Sequence, residues 1–267
     1  MGGGWGGGAI TGDAAALGYD LLNLSDGQGR TSRYVAAIDP DGDLSVAFND
    51  MHIHETATEP DEALLDRAMP CRWWLVDANL SSALLESLIL RQERPPIAVA
   101  GVSVAKVVRL AGLLDRIDLL LLNQREAEAL LRHEEAGEGI AAATDLAAAL
   151  IAKGPSIVAI TAGDQGAVLA LEGKLYQATA MADCPVVDCI GAGDGFAAGV
   201  LTALLRGEAA EDWLERGCAA ASLVVESPLS APDSLSWQAV TARSAAISVE
   251  TMTVAADTDD EVSVTTG

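Results

Sequence analysis

Three short stretches of this chain combine bare backbone, carboxylates and amide side chains at spacings suited to holding and moving a phosphoryl group. The first is Asp188-Cys-Ile-Gly191-Ala192-Gly193-Asp194-Gly-Phe196-Ala-Ala-Gly199. Gly191, Ala192 and Gly193 let main-chain N–H groups crowd around an anion, and a helix expected to start here and run to about Leu205 adds its positive end. Asp194, set in that field, is expected to stay ionised and to accept a proton from a substrate hydroxyl while the amides hold the moving charge. The second stretch is Asn123-Gln-Arg-Glu126, after the apolar run Ile117 to Leu122. Its spacing suits a capping box, Asn123 at the N-cap and Glu126 three residues on. A carboxylate there also suits a phosphate-bound divalent cation, which needs few protein ligands. The third is Thr161-Ala-Gly163-Asp-Gln-Gly166, read as a hairpin turn or as a tight loop that a nucleotide can approach closely.

The elements that must position these residues follow from the aliphatic pattern. Trp73 to Val76, Ile97 to Ala100 and Ile117 to Leu122 read as strands, alternating with helices over Ser82 to Arg91, Val104 to Leu114 and Arg125 to Arg132. Such alternation means βαβ crossovers and a parallel sheet. A helical block over Ile140 to Lys153 leads into Ile157 to Thr161, and the short segments Ala167 to Leu171 and Leu175 to Gln177 suit an antiparallel edge. Glu211 to Val225 is a further helix. Ser32 to Ile38 and Leu44 to Phe48, around Asp39-Pro-Asp-Gly-Asp43, read as a hairpin. The glycine-rich start, residues 1–10, and the Thr- and Asp-rich end, residues 244–267, lack periodicity and are expected to be disordered. All three chemical stretches then stand at strand ends, where ligands of open α/β sheets bind.

Composition removes several other functions. The chain has 267 residues, 50% hydrophobic and only 4% aromatic, which suits one aliphatic α/β core. A net charge of −23 repels nucleic acid and anionic membranes. No apolar run is long enough to span a bilayer and no signal peptide is visible, so a cytoplasmic protein is expected. Cys71, Cys184, Cys189 and Cys218 form no C-x-x-C pair and stand at no zinc-like spacing with His52, His54 and His133. No G-x-x-x-x-G-K-[ST] occurs, which excludes a Walker A loop.

The string D-x-x-G-A-G-D-x-F-x-x-G resembles the C-terminal signature of the ribokinase-like (PfkB-type) carbohydrate and nucleoside kinases, N-x-x-E their second signature, and T-x-G-x-x-G their nucleotide loop. The resemblance covers roughly Thr11 to Leu235. It implies a three-layer α/β/α fold with a mostly parallel sheet and a small β lid (about residues 32–51) on a kinase domain over 11–243. It further implies ATP with Mg²⁺, and Asp194 as general base with the amides of Gly191, Ala192 and Gly193 around the transferred group. Asn123 would then face the phosphates, Glu126 would organise the Mg²⁺ water shell, and Thr161, Gly163 and Gly166 would lie beside ATP. Asp188 with the carbonyl of Ile190 would approach a K⁺-like ion. Within the family, Trp74-Leu-Val-Asp77-Ala-Asn79, Val102-Ser103-Val-Ala-Lys106 and Asn123-Gln-Arg-Glu126-Ala-Glu look most like pseudouridine kinases, which phosphorylate the nucleoside 5′-hydroxyl. Two features depart from the pattern. Ala100-Gly101 stands where such kinases tend to have Asp-Pro, and the opening strand with its substrate-gripping Asp and Gly-Gly-Asn contacts has no counterpart. The alternatives are a kinase for another sugar or nucleoside, and a truncated, impaired nucleotide-binding protein. A homodimer through the lid is the expected assembly.

Overall fold

The computed structural model describes residues 5–19, 31–38, 44–134 and 142–253. Its elements in chain order are α1 (Trp5–Ala16), β1 (Arg33–Ile38), β2 (Leu44–Asp50), α2 (His52–Thr56), α3 (Glu62–Ala68), β3 (Trp74–Asp77), α4 (Ser82–Ile89), β4 (Ile97–Ala100), α5 (Val104–Val107), β5 (Leu119–Asn123), α6 (Gln124–Glu134), α7 (Ala143–Ile151), β6 (Ile157–Thr161), β7 (Ala167–Leu171), β8 (Lys174–Ala178), α8 (Ala192–Arg206), α9 (Ala210–Val225), α10 (Trp237–Ser244) and β9 (Val249–Thr253). The main sheet has seven strands in the order β3-β4-β5-β6-β7-β8-β9. β3 to β6 are mutually parallel, and β7, β8 and β9 add antiparallel.

Strand alternation divides the core between two faces. Val99, Leu120, Leu122, Val158 and Ile160 pack with Leu85, Leu130 and Leu150 from α4, α6 and α7. Ala98, Leu119, Leu121 and Ala159 pack with Phe196, Val200, Leu214 and Ala219 from α8 and α9. Aliphatic runs of this kind are what a parallel sheet covered on both faces demands. In-register pairing sets Asn123 opposite Thr161 and Asp77 opposite Ala100. The last residues of β3, β5 and β6 are therefore Asp77, Asn123 and Thr161, polar groups gathered at one end of an otherwise apolar sheet.

β1 and β2 form a separate antiparallel pair, with Val35 opposite Phe48. That is the hairpin read from the sequence, and its turn lies outside the described residues. Three expectations are corrected. The glycine-rich start is helical from Trp5, although each glycine costs a helix about 1 kcal/mol relative to alanine; among its described side chains only Ala14 is buried, and its composition does not account for it. The chain stays ordered past residue 244, as far as Thr253. β9 pairs with β8 in register, Ala178 opposite Val249, and Ile247 is buried beneath it. The β-forming residues Val249, Thr251 and Thr253 cover an edge that would otherwise carry unpaired amides. Residues 254–267 lie outside the described part. Finally, the helix expected over Val104 to Leu114 is only α5 plus two 3₁₀ turns, because Ala111 is extended and Gly112 has φ +79°.

Candidate active site

Asn123 closes β5 and caps α6. Its Oδ1 accepts the Glu126 N–H at 2.9 Å, and Glu126 Oε2 accepts the Asn123 N–H at 3.0 Å. The capping box is real, and the same two side chains also line a cavity. Glu126 is 5% exposed. Burial raises its pKa, opposed by the two hydrogen bonds with Asn123. Gly101 explains how so large a side chain fits. A Cβ at that position would lie 2.6 Å from Leu122 Cδ2 and 2.7 Å from Glu126 Oε2. The departure at Ala100-Gly101 therefore leaves the space that Glu126 fills.

Thr161 ends β6, and a 3₁₀ turn over Gly163–Gln165 leads into β7, with Ala162 N–H donating to the Gly166 carbonyl at 2.8 Å. This is the hairpin turn of the sequence reading, and Thr161, Gly163 and Gly166 also line a cavity. Beyond it, Gly191 caps α8 in the left-handed region at φ +87°, and a Cβ there would stand 2.7 Å from Ser230. Only glycine fits that turn without strain. The Ala192 N–H donates to the Cys189 carbonyl at 3.2 Å and closes the turn, Gly193 and Asp194 follow in the first turn of the helix, and Gly199 backs onto Gly217 of α9.

Two adjoining cavities meet at this helix start. The larger, about 400 Å³, has Thr161, Gly163, Gly166, Met181, Val186 and Ala192 among its lining residues. The other, about 390 Å³, is lined by Asp77, Asn79, Gly101, Asn123, Glu126 and Asp194 among others. Gly193, Phe196 and Thr161 belong to both walls. Asp194 thus faces the second cavity beside the amides that separate it from the first. Its carboxyl pKa is raised, first by desolvation and then by the neighbouring Asp77 charge. The expectation from the helix field took no account of these two causes, burial and a second carboxylate.

Asp188 lines neither cavity. Its Oδ1 accepts the Ile190 N–H at 2.8 Å and closes the turn before Gly191. Among the described residues no three His, Cys, Asp or Glu side chains converge as a metal cage, so a divalent ion here would depend on phosphate oxygens and water, with Glu126 nearby. Asp77 and Asn79 are site residues to which sequence reasoning gave no role. The signal was available, since Asp77 ends a parallel strand as Asn123 and Thr161 do.

The family model for pfkB family carbohydrate kinases matches residues 20–237. A carbohydrate kinase from Agrobacterium tumefaciens superposes with a TM-score of 0.80 at 28% identity, over 94% of this chain and 81% of that one. A 2-dehydro-3-deoxygluconokinase of Bacillus subtilis is 40% identical over 102 residues, 37% of this chain and 29% of that protein. A ribokinase of Arabidopsis thaliana is 31% identical over 173 residues, 56% of this chain and 44% of that protein. The matches thus span less than half the length of these two curated relatives. The chain belongs to the pfkB family of carbohydrate kinases, with a ribokinase-like α/β fold.

Proposed function

We propose that this chain transfers the γ-phosphoryl group of ATP to a hydroxyl of a sugar or nucleoside, with the 5′-hydroxyl of pseudouridine as the favoured acceptor. The observation that carries the reading is the placement of Asp194 and the first amides of α8 between two adjoining cavities. The larger takes the nucleotide, against Val186, Met181 and Phe196. The smaller takes the acceptor.

Asp194 accepts the proton of the attacking hydroxyl as the oxygen bonds to phosphorus and the bond to the leaving ADP oxygen breaks. The N–H groups of Gly191 and Gly193 face the charge on the transferred group, while the Ala192 N–H, which donates to the Cys189 carbonyl at 3.2 Å, closes the turn that sets them; backbone dipoles used in this way are worth several kcal/mol in other enzymes. Asn123 and Glu126, locked to each other, hold the phosphate side of the site. Mg²⁺, when bound to the nucleotide, would neutralise phosphate charge, and Glu126 would hold its water shell. In this reading a K⁺-like ion would lie near the Ile190 carbonyl, with Asp188 closing the turn beside it.

A kinase for another sugar is the second reading, favoured by the names of the two curated relatives. Assembly as a homodimer is supported by Val35, Val46 and Phe48, which share one face of the β1–β2 pair and are exposed. Four free cysteines fit a reducing cytoplasm, and no described helix is long and apolar enough to cross a membrane. The test is ADP release with Mg²⁺ and K⁺ present, comparing pseudouridine, uridine, adenosine, ribose, 2-dehydro-3-deoxygluconate and no acceptor. Acceptor-dependent release supports the reading, and the acceptor that works selects between its versions. ATP binding without transfer to any acceptor overturns it.

A further inference from the structure

Two cations from one stretch of chain bind the wall of the acceptor cavity rather than its interior. Lys106 and Arg109 stand three residues apart in the segment that opens with α5. Arg109 donates to the carbonyls of Ala78 at 3.2 Å and Leu80 at 2.7 Å, and pairs with Glu55 at 2.7 Å. Lys106 Nζ donates to Asn79 Oδ1 at 2.5 Å. The Asn79 N–H donates in turn to Asp77 Oδ1 at 2.8 Å. The loop after β3 is therefore held from both sides, and Asp77 and Asn79 on it line the cavity that contains Asp194.

The chemistry of lysine fixes which way the Asn79 amide lies. An ammonium has three donors and no acceptor, so the atom it faces is the carbonyl oxygen, and the amide nitrogen takes the other position. That nitrogen has no hydrogen-bond partner among the described residues. Asp77 and Asp194 in the same cavity accept hydrogen bonds when ionised and so read hydroxyl donors. A fixed amide N–H adds the complementary reading, of an oxygen that accepts.

We infer that Asn79 is a specificity-determining residue that donates to a non-reacting carbonyl, ether or hydroxyl oxygen of the acceptor, and that Lys106 is a positioning residue that sets this amide's orientation. The inference rests on the kinase reading above. The acceptor class it selects is a neutral polyhydroxyl compound with an accepting oxygen away from the phosphorylated hydroxyl.

Asn79→Asp tests it with little change of shape. The new carboxylate keeps Lys106 as its partner but presents an acceptor oxygen where an N–H stood. The KM for the acceptor that wild type phosphorylates is expected to rise at least about tenfold, the loss typical of one broken, desolvated hydrogen bond, while the KM for ATP changes less than about twofold. Lys106→Met leaves Asn79 in place but frees its amide, and a smaller rise in acceptor KM, about three- to tenfold, is expected from the loss of orientation. Lys106→Arg should recover part of it. Thermal unfolding and ATP KM verify that each variant is folded. If wild type turns over and both Asn79→Asp and Lys106→Met retain its acceptor KM, the inference is overturned and the kinase reading stands. If wild type phosphorylates no acceptor, the kinase reading falls, and calorimetric binding of the same acceptors to wild type and Asn79→Asp decides the inference: weaker binding to the variant supports it, and equal or absent binding overturns it.

Discussion

Gly101→Ala puts one methyl into the space that Glu126 occupies, and the structure gives the size of the conflict. The added carbon would start 2.7 Å from Glu126 Oε2, 3.2 Å from its Cδ and 2.6 Å from Leu122 Cδ2. Reaching an ordinary contact of about 3.5 Å asks for a movement of about 0.8 Å. Leu122 is 3% exposed and backed by the core, and Glu126 is held by both bonds of the capping box. Overpacking of this kind costs about 1–3 kcal/mol, and a disrupted N-cap adds about 1 kcal/mol. A total near 3 kcal/mol lowers the melting temperature by about 6–12 °C at this chain size. Displacement of Glu126 by nearly 1 Å is of the order that costs 100-fold in rate. The assays are thermal unfolding and acceptor-dependent ADP release across a Mg²⁺ titration. A variant as stable and as active as wild type would refute the claim that Gly101 exists to admit Glu126.

Three other perturbations probe the site separately. Val102 lines the acceptor cavity at φ +66°, a left-handed conformation that costs a β-branched residue about 1–2 kcal/mol; Val102→Gly is expected to raise the unfolding free energy by about 1 kcal/mol, measured by denaturant titration, and a loss of stability would count against strain there. The charge on Asp77 raises the Asp194 pKa, and the reaction needs Asp194 ionised, so Asp77→Asn should move the acid limb of the kcat profile to lower pH; a move to higher pH would contradict the pairing. Burial pushes the Cys218 thiol up to about 12, while Cys71 and Cys189 are exposed. Iodoacetamide followed by peptide mass spectrometry should therefore modify Cys71 and Cys189 and spare Cys218 in the folded protein, and ATP should slow Cys189 but not Cys71, because of these two only Cys189 lines the larger cavity.

The parallel strands were legible because a doubly covered sheet leaves a signature: Ile97 to Ala100 and Leu119 to Leu122 are unbroken apolar runs bounded by turns. α10 was not. Its sequence, WQAVTARS, buries only Val240 and Ser244, and its start is set by Ser236 Oγ accepting the Ala239 N–H at 3.2 Å, a cap with no apolar stripe behind it. β9 was missed because edge pairing depends on a partner edge rather than on its own pattern. At the site, Asn123, Glu126, Thr161 and the Gly191 turn were readable from local spacing, since each is a cap or a tight turn as well as a cavity wall. Asp77, Asn79 and Lys106 were not assigned roles, because their meeting requires the segments that follow β3 and β4 to lie side by side at one end of the sheet. The pKa direction of Asp194 was hidden for the same reason: the carboxylate that opposes it lies on β3, far away in the chain.

The most direct measurement pairs turnover with nucleotide binding in wild type and Asp194→Asn. Asparagine keeps the shape but accepts no proton, so the account predicts a fall in acceptor-dependent kcat of about 10²–10⁴-fold with ATP affinity, read by calorimetry, within about threefold of wild type. Near-normal phosphoryl transfer by Asp194→Asn would contradict it.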